Sequence, residues 1–199
     1  DIVGEADIVE EILRIYGFDK IPIKKINYDE EKKEILNSSF KTYHKSKRII
    51  ASRGYSEVVT WSFMDNSKAK IISNDLINLK NPISNDLNTM RPSTLPNLLE
   101  AINQNKARMY FNAKIFEVGP NFSKSIEGHQ ENVASAIVYG SIDEKNWLSN
   151  NKNSDVYTIK GDLFSILSSL NVPTDNLLYE KIDGQIYHPG KSSSLRLGK

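Results

Sequence analysis

AKIFEVG (residues 113–119) and NVASAIVYGSI (residues 132–142) decide the fold class, because both read as strands and follow one another with no helix between. The second is apolar enough to be a central strand. Working outward, EVVTWSF (57–63), LINLK (76–80), NTMR (88–91), LLYEKI (177–182) and SSLRLG (193–198) are further extended pieces. Helical spacing covers ADIVEEILRIYGF, with Gly17 placed as its C-terminal cap. It recurs from about Ser38 to Arg53, from Thr94 to about Met109 and from about Val156 to Leu170. The third helix carries Leu95, Leu98, Leu99 and Ile102 on one side, and the fourth turns Leu163, Ile166, Leu167 and Leu170 inward. Strands outnumber helices and do not alternate strictly with them. The expected class is therefore α+β, a mainly antiparallel sheet flanked by helices.

The 199 residues suffice for one substantial core and a small appendage. With 26 basic and 25 acidic residues, no global field points to nucleic acid or membrane. There is no cysteine, which excludes a disulfide framework and a thiolate zinc site. No apolar run approaches the roughly 18 residues of a membrane span. A soluble cytoplasmic protein is the expectation. The chain starts without methionine and ends on SSSLRLGK, an alternating strand with no return strand after it. An unpaired terminal strand exposes a sheet edge, so an excised piece of a longer chain is expected.

The first eleven residues hold five carboxylates, on Asp1, Glu5, Asp7, Glu10 and Glu11. Clustered carboxylate oxygens suit a hard cation such as magnesium. Acidic residues are equally favoured at a helix N-terminus, and Arg14 lies in reach of Glu10 and Glu11. Spacing leaves both readings open. His44, His129 and His188 have no ligand spacing between them, and His188-Pro189-Gly190 reads as a turn. No glycine-rich phosphate loop or nucleophile elbow is visible. Lys41, Lys45 and Arg48 lie near one another on the second helix, as a solvated face or as a phosphate-contacting patch.

Gly54-Tyr55-Ser56-Glu57-Val58 leads into Thr60-Trp61-Ser62-Phe63. Asn81-Pro82-Ile83-Ser84, Met90-Arg91 and Leu95-Pro96-Asn97-Leu98-Leu99 follow, then Ile115-Phe116-Glu117-Val118-Gly119, Lys160-Gly161-Asp162 and His188-Pro189-Gly190-Lys191-Ser192. In this order the segments resemble the core of the bacterial phenylalanyl-tRNA synthetase beta subunit, and the opening stretch resembles the helical domain before that core. The resemblance runs from Asp1 to Lys199. It implies a remnant of the pre-core, winged-helix-like domain over 1–22, a linker over 23–37, and a class II synthetase-like core over 38–199, incomplete at its C-terminus.

The resemblance further implies a module that has lost its catalytic residues and binds no cofactor of its own. It would pair with the alpha subunit, which uses ATP to charge tRNA(Phe), in an assembly of two alpha and two beta chains. In AKIFEVG, Ile115 and Phe116 precede Glu117 where an ATP-binding arginine would stand, and Lys114 is the nearby cation in sequence. The family's magnesium site, shared with alpha, carries over to Asp1, Asp7, Glu10 and Glu11. The rival reading is a nucleic-acid-binding module with no enzymatic role.

Overall fold

The computed structural model describes residues 2–25, 36–141, 147–148, 152–182 and 186–198. The chain divides into two compact units, 1–35 and 36–199. The first contains helix α1 (Glu5–Tyr16), which ends where Gly17 adopts a positive φ of 108° and donates its N–H to the Leu13 carbonyl. A short 3₁₀ turn over Phe18–Lys20 follows.

The second unit is built on β1 (Ser56–Glu57), β4 (Ala113–Phe122) and β5 (Gln130–Tyr139). β4 is the middle strand, parallel to β1 and antiparallel to β5. Side chains alternate across a strand, so β4 serves two cores at once. Phe116 and Val118 pack with Ile50 and Tyr55, against Tyr43, Val138 and Ile166. Those partners bring in α2 (Ser38–Ser52) and α5 (Val156–Ser169). Ile115 packs on the other side with Leu98 and Ile102 of α4 (Leu95–Ala107), beside Ile137 and Tyr139 of β5. Phe116 is fully buried, a contribution of about 1.5–3 kcal/mol from apolar transfer.

Local chemistry sets the helix starts. The Asn37 side chain accepts the Phe40 N–H at 2.7 Å to cap α2, and Asp155 accepts the Thr158 N–H at 2.8 Å to cap α5. Tyr43 on α2 donates its hydroxyl to the Val118 carbonyl at 3.0 Å, fixing that helix over β4.

A second sheet pairs β2 (Phe63–Met64) with β3 (Thr89–Met90), antiparallel, beside α3 (Asn66–Ile72) and a small core of Met64, Ala69 and Leu76. A third pairs β6 (Leu177–Glu180) with β7 (Ser194–Leu197), antiparallel. The class is mixed α+β. The strands form three small sheets among the described residues, where the sequence suggested one mainly antiparallel sheet.

Several expectations are corrected. EVVTWSF is not one strand. Its start pairs with β4, its end passes to the second sheet, and Val59 and Trp61 between them are exposed. β-Branched and aromatic content signals a fit to a pleated surface, not which partner supplies it. LINLK is held by a single bridge from Asn78 to Thr89. β4, not β5, is central, because β1 adds to its free edge. Leu99 stands on the outer margin of the α4 stripe and is half exposed. Leu163 is turned outward while Asp162 is buried. The return strand for SSSLRLGK lies upstream, as β6. Part of the expected linker, residues 26–35, lies outside the described residues.

Candidate functional site

The sequence singled out two places for chemistry, the acidic start of α1 and the strand AKIFEVG. At the first, Asp7 Oδ2 accepts the N–H groups of Val3 and Gly4, both at 2.9 Å. These two backbone bonds hold the Asp7 carboxyl below the ordinary carboxylate value. Asp7 therefore works as the N3 residue of a capping arrangement in which Gly4 has no side chain to reciprocate. Arg14 places Nη2 at 2.6 Å and Nε at 3.1 Å from Glu11 Oε2. Glu10 is exposed, and Asp1 lies outside the described residues. Among the described residues no group of three or more histidines, cysteines or carboxylates is gathered as a metal site.

At the second place, Glu117 is buried in the middle of β4 and meets an arginine from elsewhere in the chain. Arg91, 1 % exposed, follows β3 and puts Nη1 at 2.7 Å from Glu117 Oε1. The same nitrogen donates to Thr60 Oγ1 at 2.9 Å, Thr60 donates to Glu117 Oε2 at 2.7 Å, and Arg91 Nε donates to the Pro120 carbonyl at 2.9 Å. A buried pair survives only when its remaining donors and acceptors are met, and here Arg91 Nε, Arg91 Nη1 and both Glu117 oxygens have partners. Gly119 makes room for it, since a Cβ there would stand 2.7 Å from Arg91 Nη2. Lys114 is the cation nearest in sequence to the position where an ATP-binding arginine would stand. The cation that meets Glu117 is Arg91, while Lys114 lies over the Tyr55 ring, 4.6 Å from its centroid.

Lys114 belongs to a second buried cluster centred on Asp162. Arg53 reaches Asp162 Oδ1 through Nε at 2.9 Å and Nη2 at 2.7 Å. The Tyr55 hydroxyl donates to Oδ2 at 2.9 Å, and Lys114 Nζ lies 3.3 Å from the same oxygen. Burial pushes the Asp162 carboxyl up, but the bonds from Arg53 and Tyr55 and the Lys114 charge outweigh it, leaving the group below its ordinary value. Burial, reinforced by Asp162, pushes the Tyr55 phenol well above the usual tyrosine range. This cluster ties α5 to the end of α2 and to β4. The role of Asp162 in Lys160-Gly161-Asp162 is not visible in the sequence. The available signal was an aspartate one position before the apolar face of a helix.

The histidines do not converge. His44 lies tilted against Phe40 at 4.3 Å and edge-on to Tyr43 at 5.3 Å between ring centroids. His188 accepts the Gly190 N–H at its Nδ1, 3.1 Å, and is a turn residue. On α2, Lys47 pairs with Glu57 at 2.6 Å, and Lys41, Lys45 and Arg48 are exposed.

The sequence model described as the phenylalanyl tRNA synthetase beta chain CLM domain matches residues 23–199. This chain belongs to that family. Curated relatives agree with it. The phenylalanine-tRNA ligase beta subunit of Rhodospirillum rubrum is 38% identical over 201 residues, covering all of this chain and 25% of the relative. That of Rickettsia prowazekii is 39% identical over 204 residues, covering all of this chain and 24% of the relative. The chain thus spans about a quarter of the length of the curated relatives it matches. Among solved structures, a pyrrolysyl tRNA synthetase from Desulfitobacterium hafniense superposes with a TM-score of 0.56 at 14% identity, over 73% of this chain and 50% of that one. At that identity the likeness speaks for a synthetase-type fold alone. For a member of the beta chain family, the buried Arg91–Glu117 pair and the Asp162 cluster sit within the matched domain, whereas α1 precedes it.

Proposed function

We propose that this chain is the part of a phenylalanine-tRNA ligase beta subunit that packs against a catalytic alpha subunit and takes no direct part in the chemistry. In this reading the alpha subunit uses ATP to charge tRNA(Phe), within an assembly of two alpha and two beta chains. One observation carries the non-catalytic role: both ionisable side chains on AKIFEVG are consumed inside the fold. Glu117 is closed off by Arg91 and Thr60, and Lys114 is committed to Asp162 and the Arg53 carbonyl, so no cation on β4 is left to meet a phosphate. ATP–pyrophosphate exchange, measured per assembled complex, tests this. Lys114→Met in the beta chain should leave the phenylalanine-dependent rate within about threefold of wild type, because the group is assigned no reacting atom. A loss of a hundredfold or more in assembled complex would overturn the assignment.

The acidic start of α1 is proposed as the beta side of a magnesium site shared with alpha. Asp7 retains Oδ1 after capping, Glu10 is exposed, and Glu11 would have to exchange Arg14 for the ion. With Asp1, these would supply up to four of magnesium's roughly six oxygens, the rest coming from water and the partner. The ion would offset the carboxylate charge and bridge the chains. Supporting this, Asp7, Glu10 and Glu11 are all hard-oxygen donors within about one turn of α1. Purification of the alpha–beta complex with and without chelator is the test. Complex that loosens on chelation is expected, and indifference would leave these carboxylates as a capped, ion-paired helix start.

The exposed lysines and arginine of α2 favour a second, nucleic-acid-binding reading, since that helix carries no acidic residue. A gel shift with tRNA that weakens steeply with salt and needs Lys45 and Arg48 would support it.

A further inference from the structure

We propose that the cleft bordered by residues 58–65, α3 and α4 is the docking site for an apolar segment of the alpha subunit flanked by lysine or arginine. This rests on the subunit reading above. The cleft has a volume of about 690 Å³. Val59 and Trp61 stand at it 87% and 67% exposed, on an extended segment whose neighbours Val58 and Met64 enter two different cores. The segment is held rigidly: Val58 N–H donates to the Phe116 carbonyl at 2.9 Å, Asn97 Nδ2 to the Trp61 carbonyl at 2.9 Å, and Arg91 N–H to the Ser62 carbonyl at 2.9 Å. A tryptophan presented on a fixed backbone costs little ordering entropy on binding, which is the character of an interface anchor.

The rim selects the occupant. Asp65, Asp86 and Glu100 line the cleft, with Lys68 as its cation. Lys68 is spent on Glu100 at 3.1 Å, which leaves two carboxylates in excess. Asp65 stays ionised because the Ser67 hydroxyl and N–H donate to it and hold its carboxyl below the ordinary value. A phosphate backbone would be repelled by such a rim, which argues against a strand of RNA stacking on Trp61. A protein segment with an apolar anchor and basic flanks satisfies both the apolar wall and the charge.

The test uses the full-length beta chain and the alpha subunit, with binding measured over a range of salt. Trp61→Ala should weaken the complex about thirtyfold, as expected for a truncated anchor. Asp86→Lys with Glu100→Lys should weaken it at low salt and flatten the salt dependence. Tyr157→Ala, an equally exposed aromatic on α5 away from the cleft, should leave affinity within twofold. Near-ultraviolet circular dichroism of each variant separates misfolding from lost contact. A photo-crosslinker replacing Val59 should join to alpha at an apolar residue beside lysine or arginine. Wild-type complex with unaffected Trp61 and rim variants would overturn the cleft while leaving the subunit reading intact. Crosslinking into RNA or a second beta chain would overturn the choice of occupant. Absence of any wild-type complex would overturn the subunit reading and the occupant with it.

Discussion

Arg91→Met breaks the most deeply buried ion pair among the described residues. Methionine follows the stem of the arginine, so the packing change is small and the loss is mainly the guanidinium. Glu117 would remain buried with one hydroxyl bond from Thr60, and the Pro120 carbonyl would lose its donor. Breaking a buried pair from one side costs about 3–5 kcal/mol, because the surviving charge keeps its desolvation penalty. For a unit of this size that corresponds to a fall in Tm on the order of 10 °C. Urea unfolding, followed by tryptophan fluorescence, gives the free energy. The double variant Arg91→Met, Glu117→Leu removes both charges and should recover about 2 kcal/mol of the loss. Recovery is incomplete because Thr60 and Pro120 still lack partners. A single variant costing under about 1 kcal/mol would refute the reasoning, as would a double variant whose cost equals the sum of the singles.

Asp162→Asn should destabilise by about 2–4 kcal/mol, since Arg53 and Lys114 would lose their common counter-charge; chemical denaturation measures it. The Asp162 carboxyl is depressed in the fold, so its contribution is present above the unfolded aspartate value and is lost as pH falls through the lower folded value. Gly119→Ala should cost about 1–3 kcal/mol by the same assay, because its Cβ would meet Arg91 Nη2, which the ion pair prevents from moving aside. Asp75 is held at a pKa of about 2 by the hydroxyls of Ser123 and Ser125 and the Ser125 N–H. Its anchorage of the turn after β4 should therefore persist well below pH 3.8 and fail only as pH approaches 2. Amide exchange in residues 123–126 checks this, and in Asp75→Asn the acid-dependent step should disappear.

The candidate sites were unequally legible. Asp7, Glu10 and Glu11 could be placed on one helix from spacing alone, because residues three and four apart are helical neighbours. Spacing did not reveal that Asp7 folds back on Val3 and Gly4. Glu117 and Met90-Arg91 were both noticed, 26 residues apart, yet nothing local states that they meet. The Asp162 cluster joins residues more than a hundred positions apart and left no periodic trace.

By itself the sequence determined α1, α2, α4 and α5, since apolar spacing is a local signal read within a few residues, whereas the seven-residue α3 is too short to show a period. It determined the strand character of residues 113–119 and 132–139, because β-branched and apolar content is a property of the segment itself. The order of its motifs pointed to the family. Tertiary structure alone decided which strand lies in the middle, how EVVTWSF divides between two sheets and which strand returns to SSSLRLG. A strand's backbone donors and acceptors carry no address, so partner and register are settled only when distant side chains compete for the same buried surface. The Arg91–Glu117 pair has the same origin, since each charge is tolerable inside only once the other has arrived.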